Sequence, residues 1–86
     1  MPRLSISEAA AIGTRLVEVT KEGPVTQWYE RIAEIARKAG FDVSEVNWNA
    51  SPRGVASDIA QHMNGYYRID KLEQAIQEYE SAKQKE

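Results

Sequence analysis

The 86-residue chain contains no cysteine, which excludes a disulfide framework and any thiolate metal site. It has one histidine, His62, so a structural zinc would have to rest on carboxylates alone, a donor set foreign to such sites. No metal and no cofactor is therefore expected. Long apolar runs are also missing. Nothing approaches the ~20 residues that cross a bilayer, and Met1–Glu8 lacks the ~7–15-residue apolar core of a secretory signal. The expectation is a cytoplasmic protein with no membrane partner. Charge of one sign is not in excess either: 11 basic against 13 acidic residues leave a net charge of −2. Nucleic-acid affinity comes largely from clustered Lys and Arg, so this balance points away from nucleic acid. The five glycines are dispersed, which excludes a glycine-rich phosphate cradle. No alternating strand pattern appears, so a sheet is not expected.

What the chain does have is helical periodicity broken by tight stops. Ser5 with Glu8 three residues on reads as a capping box, and Leu4 with Ala9 as its hydrophobic staple. Ile6, Ala9, Ala10, Gly13, Leu16 and Val17 then share one face, widened by Ile12 and Val19. Gly23-Pro24 ends this helix, with Pro24 suited to the first position of the next. Val25, Trp28, Tyr29, Ile32, Ile35, Ala36 and Ala39 form the cleanest stripe, with Glu34 and Lys38 an i,i+4 pair on the wet side. Gly40 supplies a left-handed stop and Phe41 folds back on the last turn.

Asp42, with Glu45 as box partner and Phe41/Val46 as staple, predicts a short third element ending near Trp48. Ser51-Pro52 is a cap followed by proline at the first helical position. Val55, Ile59, His62, Met63 and Tyr66 share the next face, while Arg53, Ser57, Asp58, Gln61 and Asn64 point away. Asn64-Gly65 marks an end or bend. Asp70 with Glu73 opens a last helix buried through Leu72, Ala75, Ile76 and Tyr79. Residues 1–80 are thus expected to form one all-α domain of four substantial helices and one short one. Residues 81–86 are expected to be a frayed polar tail or the start of a linker. A domain this small buries only roughly 60–65% of the surface its unfolded chain exposes.

No constellation for catalysis emerges. His62 sits among Val55, Ile59 and Met63 with no Ser or Thr on its face, which reads as a hydrogen-bonded boundary residue. The paired carboxylates lie on solvated faces or at caps. Gly13 and Gly54, inside helices at ~1 kcal/mol each relative to Ala, are expected to permit close helix crossings. Trp28 and Trp48 read as core anchors. Tyr66 and Tyr67 cannot both face inward, so Tyr67 is expected to be partly exposed beside Arg68, a pairing enriched at binding hot spots.

The segment Phe41–Leu72 carries a resemblance. Phe41, Asp42, Val46, Trp48, Ser51, Pro52, Gly65, Arg68, Ile69 and Leu72 match the C-terminal half of the bacterial effector-associated domains, also described as bacterial death-like domains. The first forty residues match as two amphipathic helices. Tyr66 and Tyr67 depart from the family pattern, which often has small or charged residues there. The resemblance implies a compact death-like bundle of five to six helices with a short third helix. It further implies a non-enzymatic adaptor in bacterial defence, joining a sensor to an effector by like-with-like or paired association. Death-fold contacts are asymmetric and charge-complementary, and can build homo-oligomers or open assemblies. Arg31, Lys38 and Arg53 on one side, and Glu34, Glu45, Asp58 and Asp70 on the other, are the expected contact residues, with Tyr67 and Arg68 beside them. The alternative is a small helix-turn-helix DNA-binding regulator with Ser51–Gly65 as recognition helix, although that helix offers only Arg53 as a cation.

Overall fold

Helix-stop chemistry divides the chain in a computed structural model that describes residues 3–84. Four helices form: α1 (Ile6–Thr20), α2 (Val25–Lys38), α3 (Pro52–Gly65) and α4 (Ile69–Gln84). A single 3₁₀ turn, Val43–Glu45, lies between α2 and α3. Among the described residues there is no strand. The expected five to six helices are corrected to four and a turn. The short third element is too brief for an α-helix because Asp42 closes it locally, accepting from Ser44 N–H at 3.0 Å and Ser44 Oγ at 2.6 Å rather than forming a box with Glu45.

The local caps appear as expected elsewhere. Ser5 accepts from Glu8 N–H, and the Glu8 carboxylate accepts from Ser5 N–H, each at 3.1 Å. Ser51 accepts from Gly54 N–H at 3.1 Å, with Pro52 at the first helical position. Pro24 sits one place earlier than expected, as the cap of α2. α4 begins at Ile69, with Asp70 in its first turn, and stays helical through Gln84, so the tail expected from 81 is helical to that point. Residues 85 and 86 of that tail lie outside the described residues.

Each helix touches the other three, and α1 with α3 makes the most extensive contact. Their shared seam needs Gly13: a Cβ there would lie 3.0 Å from the Ala56 carbonyl oxygen and 3.1 Å from Ser57 Cα. Gly54 plays no such part, since a Cβ there would meet only Ser51 Oγ and the Ala50 side chain. The core is aliphatic, with Leu16, Ile32, Ile35, Val55, Ile59, Ile69, Leu72 and Ile76 fully buried. Each such side chain stabilises by about 1.5–3 kcal/mol relative to exposure. Thr20 joins them, its hydroxyl donating back to the Leu16 and Val17 carbonyls at 3.0 Å.

The ends of the predicted stripes invert. Ile6 and Tyr66 point out, at 77% and 69% exposure, whereas Asn64 turns in at 3%. The cause is the N-terminal segment crossing the end of α3. Leu4 N–H donates to Asn64 Oδ1 and Asn64 Nδ2 donates to the Leu4 carbonyl, both at 2.8 Å. Gln61 Nε2 adds a bond to the Ile6 carbonyl at 3.1 Å. Val25 is likewise exposed, and Trp28 sits half-buried at the α1–α2 turn, its indole N–H on the Gly23 carbonyl. Trp48 packs against the core from the linker, edge-to-face with Tyr29, whose hydroxyl donates to the Ala50 carbonyl at 2.6 Å. Among the described residues, no helix is long and apolar enough to cross a membrane.

Candidate docking surface

The end of α3 is closed by backbone geometry normally reserved for glycine. Tyr67 has φ of 59°, a left-handed conformation that costs an L-residue roughly 1–2 kcal/mol. Around it the last carbonyls are satisfied in the Schellman pattern: Arg68 N–H donates to Met63 at 2.7 Å and Tyr67 N–H to Asn64 at 3.0 Å. This backbone turn throws both tyrosine rings outward, so Tyr66 is exposed as well as Tyr67, contrary to the expectation that one faces in. The cation over Tyr67 is Arg3, its guanidinium 4.9 Å from the ring centroid while Nη2 donates to the Gly65 carbonyl at 3.1 Å.

Beside this corner runs a shallow groove of about 360 Å³ lined by Gly40, Phe41, Asp42, Glu45, Met63, Tyr66 and Arg68. Phe41 and Met63 give it an apolar floor. It exists because two helix ends meet there: α2 stops at Gly40, and α3 stops opposite. The Asp42 carboxyl titrates below its ordinary range because Ser44 hydrogen-bonds to its charged form, first through the hydroxyl and then through the backbone N–H. His62 flanks the groove, edge-on to Phe41 with centroids 6.0 Å apart and 3.7 Å from Asp58.

The expected contact residues do not gather on one face. Glu45 and Arg68 share the groove just described, with Tyr67 beside it and Asp70 in the adjoining first turn of α4. Arg31, Glu34 and Lys38 line a second groove of about 390 Å³ between α2 and α4, together with Glu22, Tyr79 and Lys83. There the charges are consumed internally. Lys38 lies 3.5 Å from Glu34, Lys83 pairs with Glu22, and Arg31 donates to the Thr20 and Glu22 carbonyls and to Gln27. Hydrogen bonding and charge from Lys83 lower the Glu22 pKa. Arg31 is thus a strap over the α1–α2 turn. Arg53 and Asp58 stand apart from both grooves on the exposed face of α3. The groove between the ends of α2 and α3 is the part that sequence reasoning missed; Met63 lies in the core as expected, at 3% exposure, and closes the inner side of the groove.

No cluster of three or more His, Cys, Asp or Glu that could hold a metal occurs among the described residues. Comparison of the chain with protein-family models, with curated proteins and with solved structures returns no match.

Proposed function

We propose that the chain is a non-enzymatic docking domain, a pared-down death-like adaptor that associates with like or paired helical domains and couples a sensor to an effector in bacterial defence. The observation that carries this reading is the exposed corner Tyr66-Tyr67-Arg68 beside a groove between two helix ends. Large aromatic rings and arginine left in water beside a concave groove of mixed lining are residue types enriched at binding hot spots. Tyr67 holds a left-handed backbone conformation that glycine would adopt without steric penalty. The order of elements from Phe41 to Leu72 adds support: a short turn, Trp48, a Ser-Pro cap, a helix, a turn and a further helix, as in the bacterial effector-associated domains. The surface carries both signs of charge, as asymmetric docking requires.

The test is light scattering after size exclusion across protein and salt concentration. The expected result is a mass that rises with protein concentration and falls as salt screens the contact. A monomer at every concentration and ionic strength overturns the like-with-like form of the proposal.

A further inference from the structure

We infer that Asn64-Gly65 is a latent deamidation site guarded by the N-terminal strap, and that hydrolysis of the Asn64 amide unfastens the strap from the end of α3. The chemistry needs water alone and is independent of the docking reading.

The dipeptide supplies the reactivity. Where glycine follows asparagine, the glycine nitrogen has no Cβ beside it to shield it. Once it gives up its proton it attacks the asparagine Cγ. A C–N bond forms, Nδ2 leaves as ammonia, and a cyclic succinimide results. Water then opens the ring at either carbonyl, giving aspartate or isoaspartate with no change of oxidation state. Asn47 and Asn49 are followed by Trp48 and Ala50, whose side chains crowd the same attack. Glycine at position 65 answers no steric need: a Cβ there would meet nothing within 4 Å, and the positive-φ glycines are Gly23 and Gly40.

The fold restrains both reacting groups. Asn64 is buried, and one residue holds its amide at both ends: Oδ1 accepts from Leu4 N–H and Nδ2 donates to the Leu4 carbonyl, each at 2.8 Å. Turning Cγ toward the Gly65 nitrogen breaks both bonds and strands the Leu4 peptide groups in a part-buried site. The nitrogen is tied as well. Gly65 is the last residue of α3, and a helical N–H donates to the carbonyl four residues back. Reaction therefore waits for the strap to lift and the last turn to fray, a local opening and not a global one.

The product cannot refasten the strap. A carboxylate offers acceptors alone, so Leu4 N–H keeps a partner while the Leu4 carbonyl is repelled. Arg3, the cation of the strap, is already taken by the Gly65 carbonyl and the Tyr67 ring. Negative charge at a helix C-terminus is opposed by the dipole, and burying it unpaired is costly. The strap leaves, and with it the Arg3 contact over Tyr67.

The experiment incubates the full chain in warm, mildly alkaline buffer and follows conversion at Asn64 by peptide mass mapping, with Asn47 and Asn49 as internal references. Folded protein should convert at least about tenfold more slowly than protein in urea. Leu4→Pro, which removes the N–H donor, and Arg3→Ala, which loosens the strap from outside the core, should each accelerate conversion in the absence of urea. Circular dichroism checks that both fold, and Arg3→Ala carries the comparison if Leu4→Pro does not. Equal rates with and without urea, or a folded strap variant no faster than the parent, overturn the guarding role. The second readout is amide exchange in Asn64→Asp. Leu4 and Ile6 are expected to lose protection while Ile32, Ile59 and Leu72 keep theirs; a Leu4 amide still protected overturns the release.

Discussion

The C-termini of α2 and α3 are closed by the same two hydrogen bonds and by different residues. At α2, Phe41 N–H reaches the Ala36 carbonyl and Gly40 N–H the Arg37 carbonyl, both at 2.9 Å, with Gly40 at φ 86°. At α3, Arg68 and Tyr67 make the equivalent bonds, and Tyr67 takes the positive φ. Glycine adopts that region without steric penalty, whereas tyrosine does not. The α2 end is therefore a pure stop. The α3 end is a stop that also presents a ring, and it holds its shape through bonds from Asn64, Gln61 and Arg3 that the α2 end has no counterpart for. Geometry is common to both; what each presents to solvent is not.

Removing that extra support should have the largest effect. Asn64→Ala leaves the Leu4 N–H and carbonyl without their partner in a part-buried site, at a cost of about 2–3 kcal/mol. Urea denaturation measures it, and a loss below about 0.5 kcal/mol would show that the α3 end does not depend on the N-terminal strap.

Next in size is Gly40→Ala. The left-handed conformation costs roughly 1–2 kcal/mol, and reduced freedom in the unfolded chain returns about 0.4–1 kcal/mol. The net expectation is a destabilisation of about 1 kcal/mol, since the Arg68 guanidinium 3.3 Å from the new Cβ is a flexible neighbour that can yield. The reciprocal change sharpens the contrast. Tyr67→Gly relieves the same strain but gives up the Arg3–ring contact, worth about 0.5–1 kcal/mol, and gains unfolded-state freedom. Stability should move by less than about 0.5 kcal/mol in urea denaturation, while self-association read by light scattering weakens. A Tyr67→Gly chain that self-associates undiminished would make the tyrosine an accident of the turn.

The smallest effect is in acid, and it belongs to two helix starts and one ion pair from the α1–α2 connection to α4. Glu8 is held below its usual pKa by the Ser5 backbone N–H first and the Ser5 hydroxyl second, and Asp42 and Glu22 are lowered by Ser44 and Lys83. A depressed folded-state pKa means stability that is fully present above the unfolded value and disappears as pH falls through the folded one. Thermal midpoints should thus hold steady from neutrality to about pH 4 and decline below it. Glu8→Gln should flatten part of that decline. An unchanged acid limb in this variant would remove the capping box from the account.

Much of the fold was legible because caps are local chemistry. Ser5 with Glu8, Gly40 with Phe41 and Ser51 with Pro52 each act within about one and a half helical turns, and each stands where it was expected. The failures share the opposite property. Asn64 was assigned to the solvent side because periodicity has no term for a bond to Leu4, sixty residues away. Tyr66 was projected along a helix face that ends at Gly65, so its ring follows the turn instead. Arg31 looked like a free charge and proved to be a brace for carbonyls of the α1–α2 connection. Exposure logic placed Tyr67 and Arg68 on the surface, and both are exposed. The groove beside them was not legible, since it forms only when two chain-distant helix ends come together.

The Gly13 seam has a consequence for how the molecule assembles. Helices α1 and α3 make the most extensive contact in the molecule, yet all of α2 and the Trp48 linker lie between them along the chain. Closing that interval sacrifices chain freedom before any α1–α3 packing compensates for it. Collapse should accordingly run slower than in a bundle whose neighbours follow one another in order. A bulky residue at position 13 would bar the seam from closing in the native register.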